Sequence, residues 1–194
     1  MLRFDLSGHC DSGGRVEDFG VGDWLEDAAD VIDAYAPGPQ LLVGSSLGGW
    51  LALLLARARP DRWAGLLTIA AAPDFTERMR AGFSAADHVA LAGQGAVTRS
   101  SEYGADYVFS RLLFDQGAQH QVLAAPLRLP MPVRMLQGTA DADVPMADAL
   151  RLLDHAEGPD IRLTLVKDAD HRFSGPAELA LIRDAAAEIL AAAG

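Results

Sequence analysis

The sequence predicts an α/β fold, a mostly parallel sheet with helices on both faces. Two observations carry that expectation. Short apolar runs of strand length alternate with longer segments of helical period, which implies a parallel sheet. The inner runs are apolar without alternation, as in strands buried on both faces.

The elements can be justified in order. Leu2, Phe4 and Leu6 alternate with Arg3 and Asp5, the period of a strand. "SGH" and "DSGG" then form a loop. Val21, Trp24, Leu25, Ala28, Val31, Ile32 and Tyr35 share one helical face, and Asp23, Glu26, Asp27, Asp30 and Asp33 take the other. Pro37-Gly38-Pro39 ends that helix. Leu41–Val43 predicts a short buried strand. Leu47–Ala58 predicts a buried helix, stopped by Pro60, with Arg57 and Arg59 at its negative end. "AGLLTIAA" (Ala64–Ala71), "PVRML" (Pro132–Leu136) and "IRLTLV" (Ile161–Val166) predict three more strands. Between the last two, Met146–His155 forms a helix with Leu150 and Leu153 inward. Pro176–Ala193 forms the last helix, with Leu179, Ile182, Ala186, Ile189 and Leu190 on one face and Pro176 in its first turn.

Asp74–Ala125 interrupts this rhythm. It contains no convincing buried strand, several glycines, and a loose apolar cluster of Phe109, Leu112, Leu113 and Phe114. The reading is a small helical cap, residues 74–125, inserted between two strands of one domain spanning 1–194.

Composition excludes several classes of function. The chain has 194 residues, enough for one core, and is half hydrophobic. Its net charge of -11 argues against nucleic acid or an anionic membrane surface as partner. Lys167 is the only lysine, and the arginines are scattered. No apolar run has the length of a membrane span. Cys10 is the only cysteine. No intrachain disulfide can form, and the thiol reads as a spectator. The N-terminus has neither the layout of a secretory signal nor that of a transit peptide, so the expected compartment is the cytoplasm.

The chemistry concentrates at "LLVGSSLGGW", Leu41–Trp50. G-x-S-x-G alone is weakly specific. Here it follows a buried strand and opens a buried helix, the setting in which a serine is projected from a strained turn. That turn demands small residues two before and two after the serine. Ser46 has Gly44 and Gly48 there, whereas Ser45 has Val43 and Leu47. Ser46 is therefore the nucleophile candidate. The Leu47 N–H, at a helix N-terminus, is a candidate donor to an oxyanion.

A serine nucleophile needs a base, and the base an orienting carboxylate. His9, His88, His120 and His155 read as surface or structural residues. His171 directly follows the last strand, and in open parallel sheets sites form beyond the carboxyl ends of strands. "MLQGTADADVP" follows another strand and offers Asp141 and Asp143. The order Ser, Asp, His suits this arrangement. A calcium loop would need a downstream Gly and Glu that the Asp-x-Asp spacing lacks, so no metal is expected.

Together, "RFDLSGH", "GPQLLVGSSLGGWLALLLARARP", "VRMLQGTADADVP" and "LVKDADHRFS" resemble the α/β-hydrolase superfamily. Within it they are similar to a subgroup containing a mitochondrial palmitoyl-protein thioesterase, active also on acyl glucuronides, and bacterial relatives. The resemblance covers nearly the whole chain and is weakest through the cap. The family pattern G-x-x-D-x-x-V-P fits Gly138, Asp141, Val144 and Pro145, so it prefers Asp141 to Asp143. It implies a Ser46–Asp141–His171 triad that hydrolyses a small ester or thioester substrate with no cofactor. The alternative is a catalytically impaired relative that binds a ligand or partner. A third reading keeps the fold and changes the reaction, to carbon–carbon hydrolysis or cofactor-free peroxidation.

In the family, the strand Leu2–Leu6 is the fourth. The expected fold therefore lacks the first three strands, a truncation at the N-terminus. The missing third strand would leave a gap of about 4.8 Å per strand spacing beside Leu41–Val43. It would also remove the loop that carries the second oxyanion donor, worth about 2.7 to 4 kcal/mol. The protein starts further upstream, or Leu2–Leu6 pairs directly with Leu41–Val43, or another chain fills the gap. An exposed strand edge also favours a homo-oligomer.

Overall fold

The computed structural model describes residues 1–100 and 106–193. In chain order its elements are α1 (Val21–Tyr35), β1 (Gln40–Ser45), α2 (Leu47–Ala58), β2 (Trp63–Ile69), α3 (Phe75–Ala81), α4 (Ala85–Gln94), β3 (Ala96–Arg99), β4 (Tyr107–Ser110), α5 (Arg111–Gln119), β5 (Leu127–Arg128), β6 (Val133–Gly138), α6 (Met146–His155), β7 (Ala156–Glu157), β8 (Ile161–Val166) and α7 (Pro176–Ala193). Contacts divide the chain into two compact units. One comprises Met1–Tyr35 with Asp74–Gln121, the other Ala36–Pro73 with Val122–Gly194.

The second unit holds a four-stranded sheet in the order β1-β2-β6-β8, and every pairing is parallel. "AGLLTIAA" and "PVRML" become its inner strands, whereas Leu41–Val43, expected to be buried on both faces, lies in the edge strand β1, where Leu42 is buried and Val43 is exposed because no strand pairs on that side. β6 is buried along its whole length and β2 along all but one residue, so both faces of the sheet centre are covered. Leu67, Ile69, Leu136, Phe173, Ala185 and Ile189 form one buried cluster between the sheet and α7. The helix packs through Ile182, Ala186 and Ile189, as its period predicts. Leu179 and Leu190 are exposed instead. α6 is likewise turned from its expected phase, with Ala149 and Leu152 buried and Leu150 exposed. In α7 the apolar residues outnumber the positions one face can hold, so sequence period leaves the phase open.

The first unit has its own core. Leu91, Val97 and Phe114 are buried together, with Met79, Phe83 and Phe109 against them. β3 and β4 pair antiparallel, so the segment expected to be purely helical contains a hairpin; its strands are too short to give a period. Residues 101–105 of that segment lie outside the described residues. Gln116 of α5 ties the helices, its Oε1 accepting from Gly22 N (2.7 Å) and its Nε2 donating to Asp23 Oδ2 (3.0 Å).

The expected strand Leu2–Leu6 is not one. Residues 1–6 have no regular structure, and Leu2 and Phe4 are exposed. Alternation specifies which face a strand would bury. It does not supply the neighbour whose backbone must complete the ladder. Pairing with Leu41–Val43 does not occur either, since β1 bonds only to β2 and forms the edge of the sheet. Among the described residues, no helix is long and apolar enough to cross a membrane.

One ion network staples strand starts to the last helix. Arg134, buried in β6, donates to Asp160 Oδ2 (2.9 Å) and Glu188 Oε1 (2.8 Å). Arg162 joins both acids from the solvent side. The hydrogen bond from Arg134 holds each carboxyl below its ordinary value. Groups with depressed folded values stabilise the fold above their unfolded values, near 3.8 and 4.5, and lose that contribution as pH falls through the folded ones. Replacing both acids (Asp160→Asn with Glu188→Gln) should lower the melting temperature at pH 7 by roughly 3–6 °C. Melts from pH 7 to pH 3 check it: the gap to wild type must close in acid, and a constant gap would refute the linkage.

Candidate active site

β1 ends at Ser45 and α2 begins at Leu47, so Ser46 alone turns strand into helix. Its φ of 52° and ψ of -119° lie where L residues are rarely found. Backbone hydrogen bonds hold it there. Ser46 N donates to Ile69 O (3.0 Å), and Gly49 N, Trp50 N and Ala72 N donate to Ser46 O at 3.0, 3.2 and 3.1 Å.

The turn is tight on one side only. A Cβ on Gly44 would collide with the carbonyl of Gly48 and lie 2.8 Å from Gly49 N. A Cβ on Gly48 would meet nothing within 4 Å. The steric demand expected on both sides of Ser46 therefore operates at Gly44 and not at Gly48. The second crowded position is Gly49, where a Cβ would lie 2.7 Å from that of Ala71. The reason is that β1 runs against the backbone of the first turn of α2, while the Cβ position of Gly48 faces open space.

The other two residues arrive from neighbouring strand ends. Asp141 lies in the loop after β6. Its Oδ1 accepts from Asp143 N (2.9 Å) and Val144 N (2.8 Å), a turn closed by its own side chain. His171 follows β8, in a loop fastened by Asp168 N to Thr139 Oγ1 (2.9 Å) and Ala140 N to Ala169 O (3.0 Å). Gly138 lets these loops meet, because a Cβ there would strike the Ala169 carbonyl. Phe173, at φ 50°, is buried in the core just past the histidine and anchors the loop.

These placements give an unbroken relay. His171 Nε2 lies 3.1 Å from Ser46 Oγ, and His171 Nδ1 lies 2.9 Å from Asp141 Oδ2. Oδ2 also accepts from Gln137 Nε2 (3.0 Å). Asp141 thus receives four N–H donors, the full capacity of an ionised carboxylate. That arrangement assigns the proton to Nδ1 and leaves the Nε2 lone pair for the serine hydroxyl. The Asp141 side chain is 0% exposed and that of His171 22%, so the relay is dry at its base and open at the serine end.

Asp143 stays exposed, and its backbone N–H donates to Asp141. Single donor atoms of Asp141, Asp143 and His171 lie within 4.8 Å of one another; a cation there would have to displace the N–H donors on Asp141. The remaining histidines bond elsewhere: His9 near Ser7 O, His120 at Gln116 O and His155 at Ala125 O, while His88 packs on Phe83. Cys10 is exposed. The Leu47 N–H, first of α2, has no acceptor among the described residues and opens beside Ser46. Gln137 lies outside the strand predicted at Pro132–Leu136 and inside the observed β6, Val133–Gly138. Its signal was an uncharged polar residue directly after the run "PVRML".

The alpha/beta hydrolase fold family matches residues 1–93. Among curated proteins, the palmitoyl-protein thioesterase ABHD10, mitochondrial, of Rattus norvegicus is 34% identical over 184 residues, covering 94% of this chain and 62% of that protein. The chain thus spans under two thirds of that relative's length. Among solved structures, a putative hydrolase from Agrobacterium vitis S4 is 39% identical with a TM-score of 0.93, covering 97% of this chain and 75% of that one. Alpha/beta hydrolase domain-containing protein 10 from mouse is 32% identical with a TM-score of 0.90, covering 99% and 78%.

Proposed function

The chain belongs to the alpha/beta hydrolase family, and on that premise we propose that it hydrolyses carboxylic esters or thioesters of small acyl substrates. The observation that carries this reading is the Ser46–His171–Asp141 relay at 3.1 and 2.9 Å. Ser46 Oγ attacks the carbonyl carbon while its proton passes to His171 Nε2. Asp141 holds the ring and stabilises the imidazolium without taking the proton. The oxyanion forms opposite the Leu47 N–H. Collapse expels the alcohol or thiol, which takes the proton from Nε2. Water then attacks the acyl ester, giving its proton to His171, and releases the acid as Ser46 regains its hydrogen. The thioester half of the proposal draws on the likeness to the rat palmitoyl-protein thioesterase.

Residues 74–125 are, in the same reading, an insertion within one hydrolase domain. The open edge of β1, where Val43 is 54% exposed, supports a homo-oligomer; light scattering at monomer mass across concentrations would exclude one. The cytoplasmic placement rests on the unpaired cysteine, whereas the rat relative's name places that protein in mitochondria. Cell fractionation decides between the compartments.

A fluorophosphonate probe tests the chemistry. The folded protein should be labelled at Ser46, and Ser46→Ala should abolish both labelling and turnover of p-nitrophenyl esters. Residual turnover of at least 10³-fold below wild type is compatible with the triad. Absence of labelling on folded wild-type protein would sink the hydrolase reading and leave a protein that binds a ligand or partner.

A further inference from the structure

We propose that Gln137 is a positioning residue for the relay, acting through Asp141 on His171; this rests on the hydrolase reading. Gln137 is 1% exposed at the end of β6. Its Nε2 faces three acceptors: Asp141 Oδ2 (3.0 Å), Val144 O (3.1 Å) and Gly138 O (3.2 Å). Its Oε1 is buried with no protein partner among the described residues. Reversing the amide would aim Oε1 at all three acceptors, so this orientation is the only satisfiable one. A buried amide oxygen left unpaired costs stability. An apolar side chain of the same size would avoid that cost, so the observed residue is explained by what its N–H groups do.

What they do follows from where the other bonds go. The two backbone donors on Oδ1 come from Asp143 and Val144, inside the loop that bears Asp141. They make carboxylate and loop one body. They do not relate that body to the sheet. Gln137 does, grasping the carboxylate at Oδ2 and the far end of the loop at Val144 O. It stands on β6 opposite Leu165 of β8, the strand whose end carries His171. The amide thus references the shared oxygen to the two strands between which the Asp141–His171 bond is made. Losing it leaves the loop intact and the imidazole less firmly aimed, a displacement that falls on the chemical step and not on substrate binding.

The test uses the full chain with Gln137→Met, and Gln137→Asn as a shortened amide that keeps polarity but cannot span the same contacts. Thermal melts and circular dichroism establish which variant is folded. In folded variant, kcat for a p-nitrophenyl ester should fall on the order of 10- to 100-fold with KM within about twofold of wild type. Protein labelled with 15N-histidine supplies a readout independent of turnover. The His171 Nδ1–H should give a slowly exchanging downfield resonance in wild type that broadens or disappears in the variant. Wild-type kcat together with an unchanged Nδ1–H resonance would overturn the proposal, leaving Gln137 a purely structural group. An inactive, unlabelled wild type would overturn the hydrolase reading instead, and the Nδ1–H resonance would still decide the role of Gln137.

Discussion

The site depends on one close approach. The backbone of Gly44 runs so near the first turn of α2 that no side chain fits between them. The chain passes from this contact into helix through the rare conformation at Ser46, which persists only where its surroundings over-determine it. The cost is met by surroundings that over-determine the turn. Four backbone hydrogen bonds converge on Ser46, two of them from the segment around β2. The helix behind it is buried almost throughout, from Gly49 to Ala56, so the turn cannot relax by moving α2 outward.

Everything else at the site is a matter of strand ends. Ser46, Asp141 and His171 are distant in sequence, yet each follows a strand of one parallel sheet, and parallel strands deliver their ends to the same edge. Small-residue contacts then set the fine distances. Gly138 brings the Asp141 loop against the loop of His171, and Phe173 pins the latter from inside the core. The carboxylate is buried and saturated with donors, while the serine end stays accessible. In the proposed mechanism this polarity suits a group that stabilises positive charge on a ring without itself exchanging with water.

Legibility in the sequence followed the range of the interactions involved. Helix α2 and the turn before it could be read because their signals are local: glycine spacing, a saturated apolar run and a closing proline. Ser46 was separable from Ser45 on the same ground, and the reason attached to Gly48 failed because crowding depends on a neighbour that spacing does not show. Leu2–Leu6 misled because a strand is a property of two segments. Leu179 and Leu190 misled because an over-apolar helix does not announce its phase. Gln137 was passed over because its partners are carbonyls and a carboxylate that only the folded loop assembles. The preference for Asp141 over Asp143 came from family resemblance, and two backbone N–H groups on Oδ1 now give it a physical description.

The division of the chain into two compact units bears on how the sheet is assembled. β1–β2 and β6–β8 join strands close in sequence, but β2–β6 must close a loop of roughly sixty residues, and loop entropy makes such pairings slow. Residues 74–121 of that loop belong to a unit with its own buried cluster. Once they condense, the separation of their ends no longer fluctuates as in a free chain, and the effective loop shortens to its flanks. A compact segment between β2 and β6 thus lowers the loop-closure cost that their pairing would carry in a free chain.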